Sequence, residues 1–403
     1  MKTMKKGETL VSTKFELDVS DLDQYMGKPI EQARLIEPLH NNDIRRWVQS
    51  LHYPNRLHYD GQYAAESRWG RLVAPQSFAA TCDDGNGAAP ACVGRVPESH
   101  LLFGGDEWWF YGPRIFGGDR VVVDRIPLDY VVKQTKFAGP TCFQRGDNHY
   151  VNDRGERVAT QRSTSIRYSA AASRELAKSV AAPPPEEPEW TDAQLEELEV
   201  RKFKWIQMLH DLGHDKRYWE DVNIGDELPE RVIGPHSVIS LTTEFRAQIM
   251  NTWGAMRRRT DIDLVQLGYT KEMSGKEMDG EHEKVNPEQT DGAYIGPSRG
   301  HLNNRWARFV GMPRAYGYGL SIGAWLIDYL AGWVGEWGFV LHTNGLYRSP
   351  ALIGDVTIMT GSVTDKMIDE QGHRIVKTQC HITNQLGAVI ATGTGEVELP
   401  RRR

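Results

Sequence analysis

Cysteine is scarce in this chain of 403 residues. The four thiols, Cys82, Cys92, Cys142 and Cys380, form no C-x-x-C pair, so a structural zinc site has little support and no metal is expected. Four in so long a chain do not make a disulfide scaffold either, and reduced thiols of a cytoplasmic protein are the simpler reading. A basic excess is also missing. Lys plus Arg is 48 against 54 Asp plus Glu, a net charge of -6, which argues against nucleic acid as a partner while leaving room for a local basic pocket. Long apolar runs are absent as well. Met1 to Glu8 is charged and lacks the apolar stretch of a signal peptide. The most apolar segment, Tyr318 to Val340, is interrupted by Asp328, Glu336 and several glycines, so it reads as a buried core helix and no membrane contact is expected.

What is present is a globular composition and a length that suggests two or three domains. Ser169 to Trp190 is rich in Ala, Pro and Glu and contains Pro183-Pro184-Pro185, which reads as a linker. Thr191 or Asp192 then caps a polar helix to about His210. The expected organisation is a unit over 1–170, a linker and helix over 171–210, and a second unit over 211–403.

On either side of the linker one order of features appears twice. A capped helix starts at Asn42-Asp43 and again at Thr242-Thr243. A loop with a histidine follows, His58 in the first half and His301 in the second, each with an alanine six positions later, Ala64 and Ala307. A second helix is expected from about Ala74-Pro75-Gln76 and from Tyr316-Gly317-Tyr318-Gly319, the latter carrying Ile322, Leu326, Tyr329 and Leu330 at helical spacing. Strands come next. Pro113 to Asp119 matches Pro350 to Asp355, and hairpin signals at Asn152 to Gly155 and Asn384 to Gly387 place glycine at the turn. The segment 257–300, polar and charged, has no counterpart and reads as an insertion. A helix followed by antiparallel strands without α/β alternation is α+β, and two such units side by side can join their sheets edge to edge.

These repeats, with His100 to Phe110, Tyr218 to Asp226, Gly311 to Gly319 and Trp333 to Gly338, give a chain that resembles the MaoC-like acyl-CoA hydratase/dehydratase family, in its two-repeat form with a dehydratase-type first unit. The resemblance implies a double hot-dog fold, each unit an antiparallel sheet wrapped around a central helix. It also implies an acyl-CoA substrate and reversible addition of water to a 2-enoyl thioester. Coenzyme A would enter as part of the substrate, with no separate cofactor. The family's motif is Asp-x-Asn-Pro-x-His-x-Asp. Tyr53 to Asp60 aligns with it, keeping Asn55, His58 and Asp60, with Tyr53 in the place of the catalytic Asp and Arg56 in that of the Pro. Gly296 to Asn303 keeps only His301.

The chemistry needs a base for water and polarisation of the thioester carbonyl. His58 or His301 can be the base, since a neutral imidazole accepts a proton near working pH. Tyr53 reads either as an acid or oxyanion donor or as a packed aromatic, and Asp60 as a helix cap. Backbone amides around Ala74 to Ser77 or Gly317 to Gly319 are candidates to polarise the carbonyl, with Asn55, Gly317 and Gly319 at the substrate. Arg56 and Arg299, each two before its histidine, suit an anionic part of the substrate such as a second carboxylate, or else a surface ion pair. Arg257-Arg258-Arg259 suits the phosphates of coenzyme A or simply a solvated face. Trp108-Trp109-Phe110 suits core or inter-unit packing. A thioesterase, an isomerase or a non-catalytic acyl-CoA binding subunit fits the altered motifs too. A homodimer or higher homo-oligomer is the expected assembly.

Overall fold

A computed structural model describes residues 16–35, 37–83, 87–179, 186–241, 299–302 and 304–402. The predicted cap at Thr242-Thr243, Pro183 to Pro185, and the insertion up to residue 298 with Arg257 to Arg259 lie outside the described residues.

The first unit contains β1 (Ile30–Arg34), α1 (Asn41–Ser50), α2 (Gly61–Glu66), β2 (Ser99–Phe110), β3 (Val121–Thr135), β4 (Gly139–Asn152) and β5 (Arg157–Ser169). Helices α3 (Ala170–Ser179) and α4 (Asp192–Leu212) connect it to the second. That unit contains β6 (Glu227–Ile233), α5 (Arg299–Leu302), α6 (Asn304–Phe309), α7 (Gly319–Val334), β7 (Phe339–Tyr347), β8 (Thr357–Ile368), β9 (Arg374–Thr383) and β10 (Val389–Glu398). All ten strands form one antiparallel sheet in the order β1-β3-β4-β5-β2-β7-β10-β9-β8-β6. Read outward from the centre, the two halves of this order are the same.

The repeat extends to single hydrogen bonds. In the β4–β5 turn, Asn152 Oδ1 accepts the amides of Arg154 and Glu156, and Gly155 sits at φ 76°. In the β9–β10 turn, Asn384 Oδ1 accepts those of Leu386 and Ala388, with Gly387 at φ 75°. Each Asn side chain thereby satisfies amides the tight turn leaves over, and each glycine takes the left-handed position without a Cβ clash.

Two elements differ from the sequence expectation. Ser169 to Trp190 is not all linker: Ala170–Ser179 is helical, because its Ala, Arg, Glu, Leu and Lys residues are good helix formers, and it buries Ala172 and Ser173. The helix expected from Ala74 is a seven-residue 3-10 run, Gln76–Cys82. It is fully buried, so packing rather than length holds it. As expected, Thr191 caps α4 in a capping box with Gln194.

The long central helix is α7. Nearly every residue of it is buried, and one apolar core joins its Trp325, Leu326 and Leu330 to Trp47, Phe78 and Trp108 of the first unit. Its close seat on β10 depends on two glycines of one sheet face, Gly393 and Gly395. A Cβ on Gly393 would lie 2.6 Å from Leu326 Cδ2, and one on Gly395 would meet Leu330. No helix among the described residues is long and apolar enough to cross a membrane.

Gly393→Ala and Gly395→Ala are each expected to cost about 1–3 kcal/mol by overpacking this contact. Gly61→Ala, where a Cβ meets open space, serves as the control. Thermal melts that showed all three variants alike would contradict the packing described.

Candidate active site

The motif segment of the first unit folds into a short 3-10 turn, Arg56–His58, followed by α2. Asn55 caps the turn by accepting the Leu57 amide, and Asp60 caps α2 by accepting the Tyr63 amide, so Asp60 has the capping role read from the sequence. These caps hold His58 inward, 3% exposed. Its Nδ1 lies 2.6 Å from the carbonyl oxygen of Val73. A carbonyl only accepts, so Nδ1 carries the proton and the neutral ring keeps a lone pair on Nε2. Burial holds the His58 pKa down to about 3, with Arg114 adding to the effect.

His58 lines a cleft together with Tyr53, Asn55, Gln76, Arg114 and Glu336. Glu336 comes from the second unit, just past α7, and is 4% exposed. It accepts the Arg68 amide and a hydrogen bond from His214 Nδ1 at 2.6 Å. Each carboxylate oxygen has a second lone pair, so Glu336 can still accept from a molecule in the cleft. The side-chain amide of Gln76 bonds both backbone groups of Val340, donating to its oxygen at 2.8 Å and accepting from its nitrogen at 3.0 Å. That clamp fixes the start of β7 against the first unit.

Tyr53 is buried and its hydroxyl accepts from Asn55 Nδ2 at 3.1 Å. Burial pushes its pKa far above the ordinary value, so the hydroxyl keeps its proton, and that proton has no acceptor among the described residues. Arg114 donates to the Ala74 carbonyl at 2.8 Å and lies 5.4 Å from the Trp69 ring centroid. Beside Glu336 in sequence is Trp337, and Arg68 and Lys216 lie over its ring at 5.0 and 4.1 Å. Neither has a carboxylate at ion-pairing distance among the described residues.

The other predicted residues fall elsewhere. Arg56 forms an ion pair with Asp60 at 2.7 Å and stacks over Tyr63, outside the cleft. Its surface-pair reading therefore describes it. The amides of Ala74 and Gly317 donate to the carbonyls of Ile115 and Ala351, so neither is left to polarise a thioester. Gly319 makes room for Phe103, whose Cβ would be 2.5 Å from an added Cβ. Arg299 lies in α5.

His301 repeats the lock: its Nδ1 is 2.5 Å from the Tyr316 carbonyl, which like Val73 is fifteen residues downstream. Its ring, however, stacks on Tyr318 at 3.9 Å and leans on Tyr316 at 4.3 Å. Arg114 and Glu336 were not singled out by the sequence as site residues. Arg114 lies in the repeated segment Pro113 to Asp119 and Glu336 in Trp333 to Gly338, a segment that carries the resemblance, and neither signal singles out the residue.

Residues 24–161 match the family described as FAS1-like, dehydratase domain region. No curated protein matches the chain. Among solved structures, a MaoC-like dehydratase is similar at 16% identity and TM-score 0.58, over 94% of this chain and 100% of that one. A putative MaoC domain protein dehydratase from Chloroflexus aurantiacus J-10-fl is similar at 13% identity and TM-score 0.52, over 94% and 96%. A Mycobacterium tuberculosis protein described as having a double hotdog fold is similar at 10% identity and TM-score 0.50, over 94% and 98%. This chain is a double hot-dog protein.

Its double hot-dog core buries titratable groups that couple stability to pH. His58, His100 and His236 are each 3–4% exposed, and burial holds all three pKa values down to about 3. Burial raises Asp106 to about 6 and Asp328 to about 7, with hydrogen bonds to Asp106 and the Arg231 charge beside Asp328 only partly opposing it. Near pH 5 the unfolded chain binds protons on the three histidines that the folded chain excludes. The folded chain binds protons on the two aspartates that the unfolded chain releases. The histidines outweigh the aspartates, and His301, which burial also lowers to about 4, adds to them, so unfolding takes up protons and stability falls on acidification there. Urea unfolding followed from pH 6.5 towards 4 checks this. Stability that stays level or rises over that range would contradict it.

Proposed function

We propose that the protein is a hydro-lyase of acyl-coenzyme A thioesters, adding water to a 2-enoyl group and removing it in the reverse direction. One observation carries the reading: a buried imidazole whose Nδ1 proton is fixed on a carbonyl, with its basic Nε2 left to a cleft that also holds a carboxylate and an uncommitted phenol. The dehydratase match over residues 24–161 supports it. The likeness in fold to a MaoC-like dehydratase is consistent with it. The cations stacked on Trp337, next to Glu336 in sequence, favour an anionic carrier such as coenzyme A.

In this reading His58 Nε2 takes a proton from water as the water oxygen bonds to C3 of the enoyl group. The electron pair of the double bond moves towards the thioester carbonyl, forming an enolate. Tyr53, which keeps its proton, donates a hydrogen bond to the enolate oxygen. Glu336 accepts from the second hydrogen of the water and so orients it. The imidazolium then returns its proton to C2, and one water has been added with no net change in the enzyme. Because the folded His58 stays neutral to about pH 3, the rate should show no acidic limb near pH 6.5.

A panel of 2-enoyl- and 3-hydroxyacyl-CoA esters followed by mass spectrometry tests the reaction. Gain or loss of one water is the expected result. Release of free coenzyme A would instead make the protein a thioesterase, and saturable binding without turnover would make it a binding subunit. His58→Ala should lower kcat by about 10²–10⁴-fold. His301→Ala, on a ring covered by two tyrosines, should leave it near wild type. The opposite ranking would move the chemistry to the second unit.

A further inference from the structure

The cleft beside His58 is lined by Leu57, Val73, Ala331 and Val334 as well as by its polar groups, and it contains a cation whose charge nothing nearby requires. Arg114 lies among these groups. One of its Nη atoms donates to the Ala74 carbonyl, and its other N–H donors have no acceptor among the described residues. No carboxylate of the described residues is within ion-pairing distance of it, although carboxylate–arginine pairs occur at Arg125–Asp83 and Arg314–Asp355 in the same molecule.

Holding a carbonyl and covering the edge of Trp69 does not need a charge, since a neutral amide donor would serve. Arg114 is only partly buried and lines the cleft, so its free N–H groups are open to a bound molecule, and covering a guanidinium without a counter-ion is costly. A neutral alkyl group placed against it would add to that cost, whereas a carboxylate would form a charge-assisted, two-pronged pair. Arg114 is near enough to His58 and Tyr53 to bias the protonation of both, at the reacting end of the cleft. Arg68 and Lys216 instead sit on Trp337, which is not among the residues that line the cleft.

We infer that the acyl group carries its own carboxylate, and that Arg114 binds that carboxylate and sets the preference for it. This deepens the hydro-lyase reading and rests on it for the identity of the site. Arg114 thus takes the part that the sequence suggested for Arg56, which is committed to Asp60.

The test measures binding of two saturated thioesters that cannot be hydrated, succinyl-CoA and butanoyl-CoA, to the full chain by calorimetry. They share a four-carbon acyl chain and differ by the terminal carboxylate. The wild type should bind succinyl-CoA roughly 10- to 100-fold more tightly, the range of one charge-assisted pair. Arg114→Gln should bring the ratio close to one, and Arg114→Lys should leave it between the two. A wild-type ratio at or below one, or a ratio unchanged in Arg114→Gln, overturns the inference. Should the glutamine variant fail to fold, the wild-type ratio and the lysine variant still decide. Turnover of the matching enoyl esters keeps the two readings apart. A succinyl preference lost with Arg114, but with no hydration of either enoyl ester, sinks the hydro-lyase and keeps this inference. Hydration without a carboxylate preference does the reverse.

Discussion

The pairing of β2 with β7 is the constraint on which the rest of the molecule depends. Its register runs from Gly105 opposite Leu346 to Trp109 opposite His342 and turns two five-stranded sheets into one. Without it each unit would present a long unpaired edge and half a core. Side chains reinforce the seam: Tyr347 donates to Asp106 at 2.6 Å, Trp108 donates to the other oxygen of that carboxylate at 2.7 Å, and His342 meets Glu107 at 2.8 Å. The seam also places the residues after α7 against the first unit. That is why a carboxylate of one unit and an imidazole of the other share a cleft although 278 positions of sequence separate them.

Duplication supplied two copies of the same device, and the surroundings have made them unequal. Both histidines present Nδ1 to a carbonyl fifteen residues on, which fixes the tautomer, and burial keeps both rings neutral. His58 opens on a cleft with Glu336, Tyr53 and Arg114. His301 is covered by Tyr316 and Tyr318. In the second unit the position after the locking carbonyl is Gly317 and the next is Tyr318, where the first unit has Ala74 and Pro75. A tyrosine in place of a proline is sufficient to put a ring on the imidazole.

Much of the fold was legible because the repeat was. Paired Asn-to-Gly turns, paired histidines with an alanine six positions on, and the helical spacing of Ile322, Leu326, Tyr329 and Leu330 each survive in the structure as the same local geometry. Of the missed elements one was decided by packing and the other by local propensity. The 3-10 run at Gln76 has helix-like composition but is buried on every side, and the helix at Ala170 was concealed by the prolines that follow it. The site was legible only in part. A motif alignment finds residues that share a segment, so it placed Tyr53, Asn55 and His58 together. It has no access to Glu336 or Arg114, which reach the cleft through the sheet seam and through a loop between strands. The same limit directed attention to Arg56, whose nearest carboxylate, Asp60, lies one helical turn away.

At the centre of this account is a His58 that is neutral, protonated on Nδ1 and basic on Nε2 within a cleft built by both units. Nitrogen-15 NMR of labelled histidine in the full chain, with His58→Asn for assignment, observes that state directly. The account predicts an Nδ1–H tautomer that persists from pH 8 to below pH 5 and an Nε2 signal that moves when a saturated acyl-CoA is added. An imidazolium already formed at pH 6, a proton resident on Nε2, or an Nε2 signal indifferent to the thioester would contradict it.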